Sequence, residues 1–139
     1  MEKREGYAFI GVLIMTTLMT TLLASQARIW LVADKRVKEK ELGFNLIQIK
    51  RALDEYSEEE GEYPKGLDEL IEEGFLRRGY RDPNNNRNHD WKRDWEYDRD
   101  SGEVWSRVKG KSLGGVSYTR WKVEKSNEKY IIVEAEEDL

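Results

Sequence analysis

The stretch from Tyr7 to Ala27, YAFIGVLIMTTLMTTLLASQA, contains no charged side chain and directly follows the charged segment MEKREG. A run of about 21 such residues is long enough to cross a hydrocarbon layer of roughly 30 Å as one helix. The chain beyond Arg28 is rich in charged and turn-forming residues. With 139 residues in total, there is room for one membrane segment and one modest domain. The sequence therefore predicts an apolar rod joined to a water-exposed domain.

Three kinds of N-terminal segment fit this run. A cleaved secretory signal has a shorter apolar core that ends in a small-x-small site, and Ala24-Ser25-Gln26-Ala27 is the nearest match to such a site. The second kind is a simple signal anchor. In the third, only the charged tag is removed and the apolar helix is retained.

The composition excludes several classes of function. The charges of residues 1–27 sum to zero, so the net charge of −4 belongs to residues 28–139. An acidic domain with interspersed lysine and arginine has no basic stripe, and we expect no nucleic-acid partner. The chain has no cysteine, which excludes disulfides, thiolate catalysis and thiolate metal sites.

Charge alone leaves the membrane orientation open. Lys3, Arg4 and the start amine precede the apolar run, whereas more cations follow it: Arg28, Lys35, Arg36, Lys38 and Lys40. The positive-inside rule would then place the domain in the cytoplasm. The following cations are interleaved with carboxylates and lead into a long domain, which weakens the rule without reversing it.

No proline occurs before Pro64, so the sequence predicts one helix from about Tyr7 to Glu59. Its first part is apolar all round, as expected of a membrane helix. In its second part, apolar residues recur at spacings of four and three, which is typical of one buried helix face: Leu42, Leu46, Ile49, Leu53 and Tyr56. Lys50, Arg51, Asp54 and Glu55 are predicted to lie outside that face.

The rest of the chain must cover this face. LDELIEEGFL predicts a short helix with Leu67, Leu70 and Ile71 turned inward and Gly74 at its end. Four strands are predicted, at Asp94–Asp98, Glu103–Ser106, Val116–Val123 and Tyr130–Ala135. The expected fold is α+β, a long helix packed on a small antiparallel sheet. The predicted divisions are a leader at 1–6, a membrane or assembly helix at 7–27, its amphipathic continuation at 28–60 and a globular domain at 61–139.

The sequence has few candidates for chemistry, and we predict that the protein is not an enzyme. His89 is the only histidine, so a catalytic triad or histidine metal site would lack partners. No carboxylate is predicted to sit alone in an apolar setting that would raise its pKa. No metal site is predicted, apart from weak calcium candidates at Asp94, Asp98 and Asp100. DRDSG resembles the start of a calcium loop, but its glycine comes one residue early, and a hairpin turn explains it at least as well.

Aromatic residues recur at strand spacing in the C-terminal part: Trp91, Trp95, Tyr97, Trp105, Tyr118, Trp121 and Tyr130. They form either a recognition platform or the filling of a core that has few aliphatic residues after Ile71. The second interpretation is favoured, since aromatic side chains bury large areas.

Three segments resemble a known family. EKREG-YAFIGVLIM resembles the prepilin signature, and IKRALDEYSEEEGEYPKGLDELIEEGFL resembles the helix end and Tyr-Pro segment of type II secretion pseudopilins, especially the G-type subunit. Arg81-Asp82-Pro83 followed by Trp95-Glu96-Tyr97 resembles the Asp-Pro loop of that family. The resemblance covers roughly residues 3–105.

The resemblance implies a pilin-like subunit of a type II secretion system, held in the bacterial inner membrane with a periplasmic domain. A prepilin peptidase would cut between Gly6 and Tyr7 and methylate Tyr7. The helix would then assemble with other pseudopilins or pilins into a short filament that drives protein export. The implied assembly residues are Tyr7, Phe9, Ile10, Gly11, Val12 and Leu13. No cofactor is expected, calcium aside.

The sequence also departs from the family pattern. Gly11 stands where the family has a glutamate, the first residue after the cut is tyrosine rather than phenylalanine, and Arg28 replaces the proline that kinks the helix. The absence of that glutamate resembles minor, tip-located subunits. A minor pilin of a type IV pilus or DNA-uptake filament is the nearest alternative. A single-pass anchored binding or sensor domain is the alternative of a different class.

Overall fold

The structure is a computed structural model that describes residues 2–87 and 90–134, with side chains described from Glu5 onward. Two compact units are present, one ending at Arg36 and the other beginning at Val37. His89, and Ala135 at the end of the last predicted strand, lie outside the described residues.

One helix dominates the chain. Helix α1 (Glu2–Glu60) has 59 residues, and it begins before the predicted start at about Tyr7. It contains no proline, and at Gly61 the backbone turns to a φ of +80°, which ends the helix. Hydroxyl groups in the apolar part donate to carbonyl oxygens four residues earlier at 2.7–2.8 Å. They belong to Thr16, Thr17, Thr20 and Thr21.

In the second unit, α1 forms one wall of the hydrophobic core. Leu42, Leu46, Ile49 and Leu53 are each 0% exposed, so the predicted buried face is confirmed. Lys50 and Asp54, predicted outside, are only partly exposed and form an ion pair of 3.1 Å. The core is completed by side chains from the rest of the domain: Leu67, Leu70, Leu76, Trp95, Val104, Tyr118, Trp121 and Val123.

The strands form two antiparallel hairpins rather than one sheet. β1 (Trp95–Asp98) pairs with β2 (Glu103–Ser106), with Trp95 opposite Ser106. β3 (Trp121–Ser126) pairs with β4 (Lys129–Glu134), with Ser126 opposite Lys129. Asn127 and Glu128 join β3 to β4, and their φ values of 48° and 64° fit a two-residue type I′ turn. A long helix packed on small antiparallel sheets confirms the predicted α+β class.

Two predicted elements are shorter than expected. The helix predicted around Leu67–Leu76 is reduced to α2 (Glu69–Glu72), and Gly74 follows it with a φ of +82°. The predicted strand Val116–Val123 is wrong in its first half, because Tyr118–Arg120 forms a 3₁₀ turn. The Tyr118 amide donates to the Gly110 carbonyl at 3.0 Å, and its hydroxyl donates to the Glu39 carboxylate at 3.0 Å.

Candidate functional sites

The first candidate site is the apolar surface of α1. Its large side chains from Tyr7 to Val32 are exposed, and Tyr7 itself is 74% exposed. A contiguous apolar surface of this kind marks contact with a membrane or another protein. By length and composition, α1 is able to cross a membrane.

All six predicted assembly residues lie on this exposed part of the helix. The side chains of Phe9, Ile10, Val12 and Leu13 are 52–66% exposed. Gly11 lies in a shallow groove bordered by Ala8, Val12 and Met15, and a methyl group added at Gly11 would meet no other atom within 4 Å. Small residues permit close approach of membrane helices, so this groove is suited to receive a neighbouring helix.

The predicted cleavage point lies in the same helix. Gly6 and Tyr7 are both exposed, and a methyl group added at Gly6 would also meet no atom within 4 Å. A substitution at Gly6 is therefore tolerated by the folded chain. Any effect of such a substitution on cleavage would come from the peptidase.

The second candidate site is the predicted calcium trio, which the structure does not bring together. Asp94 is fully buried before β1, whereas Asp98 and Asp100 lie at the exposed turn beyond it, roughly 13 Å along the strand. The Asp98 carboxylate accepts from the Asp100 amide and the Ser101 hydroxyl, each at 3.0 Å. These bonds are those of a hairpin turn, the alternative to a calcium loop. Within residues 2–87 and 90–134, no group of three acidic or histidine side chains is placed to hold a metal ion.

Asp94 has a structural role instead. Its carboxylate accepts from the Asp82 amide at 3.0 Å, from Asn85 Nδ2 at 2.6 Å and from Arg81 Nε at 3.3 Å. These bonds hold the loop around Asp82 against the start of β1. A charge paired and hydrogen-bonded in this way is tolerated in a buried position.

Asp82 lies beside it and corrects one expectation from the sequence. Its side chain is 1% exposed and accepts from the Ser106 hydroxyl and from the Asn84 amide, the latter at 2.8 Å. Burial raises the pKa of Asp82, and these hydrogen bonds lower it by less. A carboxylate in an environment that raises its pKa is therefore present, although none was predicted. The Arg81-Asp82-Pro83 motif was the only signal at this position, and it indicated a loop.

We expect the free energy of unfolding of Asp82→Asn, compared with that of the native chain, to increase as pH rises. Because the folded-state pKa of Asp82 lies above its unfolded value near 3.8, its stabilising contribution is present below that value and is lost as pH rises through the folded pKa. Asparagine does not titrate, and the Ser106 hydroxyl can accept a bond from its amide. Urea unfolding between about pH 3.5 and pH 6.5 checks this. A difference in unfolding free energy that stays constant or falls with pH would contradict it.

The aromatic residues mostly fill the core, as the sequence favours. Trp95, Tyr118 and Trp121 are at most 9% exposed. Trp91, Tyr97 and Tyr130 are partly buried and pack against the same core. Trp105 lies on the other face of its strand, with the Lys122 ammonium 5.7 Å from its ring centre.

A third site was not predicted from the sequence. An open cavity of about 700 Å³ lies at the surface of the domain, and four cations surround it. They are Arg87, Arg93, Arg107 and Lys109, and we call the cavity with these four residues the basic pocket.

Comparison with family models, with curated proteins and with solved structures finds no match for this chain.

Proposed function

We propose that this chain is a pseudopilin-like subunit of a type II secretion system. It would be anchored in the inner membrane by the apolar part of α1 and carry its α+β domain in the periplasm. The observation that supports this most is the division of α1 into an exposed apolar part and a part that forms the domain core. A charged segment ending in Gly6 directly precedes the apolar part.

The proposed mechanism is mechanical. After removal of residues 1–6, the apolar side chains from Tyr7 onward would leave the lipid and pack against the same segment of neighbouring subunits. Lipid is as apolar as these side chains, so close packing rather than the hydrophobic effect favours bundling. Gly11 contributes here because it allows close approach. A short filament built in this way would push or gate exported proteins.

The replacement of glutamate by Gly11 gives this subunit a particular place. A carboxylate at this depth in the membrane is costly unless it is paired. With glycine, the subunit neither carries that cost nor gains attraction to the amine of a neighbour. We therefore infer a specialised subunit, in which the apolar part of α1 contacts neighbouring subunits by packing alone.

The mature N-terminus tests the proposal. We would co-express the full chain with a prepilin peptidase, purify it from membranes and measure its intact mass. The expected product lacks residues 1–6 and carries one added methyl group. Gly6→Val is the matched control and should remain uncut. Because a side chain at Gly6 does not disturb the folded chain, the loss of cleavage would come from the peptidase. An uncut native chain would contradict the proposal.

A labelling experiment separates the proposal from an anchored sensor domain. The chain has no cysteine, so Glu124→Cys on the exposed surface of β3 would be the only thiol. A membrane-impermeant maleimide added to intact cells with a permeable outer membrane should label it fully. Labelling that requires lysis of the inner membrane would place the domain in the cytoplasm and favour the sensor alternative.

A further inference from the structure

The charged side chains of the domain are segregated along the chain. Residues 55–73 contain nine carboxylates and one lysine. Residues 105–122 contain five lysines and arginines and no carboxylate. The net charge of −4 therefore conceals one strongly acidic and one strongly basic region.

The fold concentrates the positive charge further. The four cations of the basic pocket come from separate segments: the segment that ends at Arg87, the 3₁₀ turn Trp91–Asp94 and the segment after β2. A bond of 3.0 Å from the Arg107 amide to the Asp94 carbonyl holds the last segment beside the turn. All four side chains are exposed, and among the residues that the structure describes only Arg107 has an ion pair, with Glu96 at 2.9 Å. Like charges held together repel, and a partner with carboxylates would relieve that repulsion.

The negative charge is concentrated where it destabilises the helix. Glu58, Glu59 and Glu60 belong to the last turn of α1, which has no basic residue, and we call them the acidic turn. All three are exposed, and none forms an ion pair with another described residue. The C-terminal end of a helix carries a partial negative charge that disfavours carboxylates. Within a single chain these three charges therefore cost stability.

We propose that the acidic turn of one copy docks in the basic pocket of the next copy. This inference rests on the proposed function and concerns how subunits of the filament are aligned. The two surfaces are different, which permits a head-to-tail contact that repeats from copy to copy without closing into a dimer. Arginine suits this role because its planar guanidinium binds carboxylates through two parallel bonds.

The proposed contact sets alignment rather than affinity. Exposed ion pairs are individually weak and are screened by salt. The apolar part of α1 would hold neighbouring subunits together, and the charges would select one register among those that apolar packing permits. The basic pocket could hold either the acidic turn of another copy or a small anion. A small anion would not bring the acidic turn to the pocket, so the cross-linking test distinguishes the two occupants.

Cysteine cross-linking between full-length chains tests the contact. One tagged chain would carry Glu59→Cys and a differently tagged chain Arg93→Cys, co-expressed with the peptidase and the secretion system. Mild oxidation of membranes should give a heterodimer, with no background because the chain has no cysteine of its own. Adding Glu58→Lys and Glu60→Lys to the first chain should lower the yield by at least about tenfold, since like charges placed together are strongly unfavourable. Adding Arg107→Glu and Lys109→Glu to the second chain as well should restore it.

Two controls make each outcome decisive. The Glu58→Lys, Glu60→Lys chain should melt at a temperature no lower than the native chain, because the substitutions remove carboxylates from the helix end. Loss of the cross-link in this chain then reflects loss of docking and not unfolding.

Cross-linking between Val12→Cys chains reports bundling of the apolar part. If Val12→Cys chains cross-link and the 59–93 pair does not, the docking inference is wrong and the proposed function stands. If neither forms, the proposed function fails as well. A yield unaffected by charge reversal, or stabilisation by inorganic phosphate without any 59–93 heterodimer, would also overturn docking.

Discussion

Asp94→Ala is expected to lower the free energy of unfolding of the domain by about 3 kcal/mol. The substitution removes the acceptor of three hydrogen bonds, from the Asp82 amide, Asn85 Nδ2 and Arg81 Nε. The Asp82 amide is buried and has no route to water, so it loses its bond without compensation. The Arg81 side chain is 39% exposed and regains water, which keeps the loss below the largest values known for broken buried pairs. Urea unfolding followed by tryptophan fluorescence measures the change.

Asp100→Ala is the matched control on the same hairpin. Its side chain is exposed at the turn beyond β1, so its removal is expected to change the unfolding free energy by no more than about 0.5 kcal/mol. The pair also tests calcium binding. If Asp94, Asp98 and Asp100 shared a cation, calcium would raise the melting temperature of the native domain and either substitution would abolish that rise. Equal losses from the two substitutions would contradict the structural role assigned to Asp94.

The buried face of α1 was predictable because its signal is local. Leu42, Leu46, Ile49 and Leu53 repeat at the period of the helix itself, and no contact with a distant segment is needed to recognise them. The same holds for the turn at Asn127 and Glu128, whose polar residues separate two apolar runs. Sequence reasoning was reliable wherever a residue's neighbours along the chain decide its environment.

Elements set by distant contacts were predicted less well. Strand-like alternation runs through Val116–Val123, but Tyr118 bonds to Glu39, 79 residues away, and its backbone turns there. Asp94 was predicted to begin a strand and to be a calcium candidate, and it is buried because the loop from Arg81 to Asn85 folds over it. Alternation along a segment indicates that one side is buried without indicating what covers it.

The candidate sites divide in the same way. The apolar segment and its edges at Gly6 and Tyr7 are continuous in the chain, so the sequence alone predicted them. The basic pocket went unrecognised because Arg87 and Lys109 are 22 positions apart and meet only through folding. The overall acidic charge was the basis for expecting no nucleic-acid partner, but it averages over a local concentration of cations. Charge counted by segment would have given a signal that the net value conceals.

Leu46→Ala is expected to lower the unfolding free energy by about 3 kcal/mol, whereas Leu22→Ala should leave it within about 0.5 kcal/mol of the native value. The two residues lie in the same helix and undergo the same chemical change. Leu46 is 0% exposed in the domain core, while Leu22 is 64% exposed in the apolar part. For a domain of this size, the loss at Leu46 corresponds to a fall in melting temperature of roughly 15 °C. Chemical unfolding of the full chain in detergent micelles measures both.

The comparison tests whether α1 really serves two environments. Because the alanine at position 46 leaves a cavity among Leu42, Ile49 and the hairpins, its cost falls on folding. The alanine at position 22 removes only area that faces lipid or another subunit, so its cost falls on assembly. Leu22→Ala should therefore fold normally and reduce cross-linking between Val12→Cys chains. A loss of folding stability at Leu22 equal to that at Leu46 would mean that the apolar part is buried within the single chain, and the assembly surface proposed here would not exist.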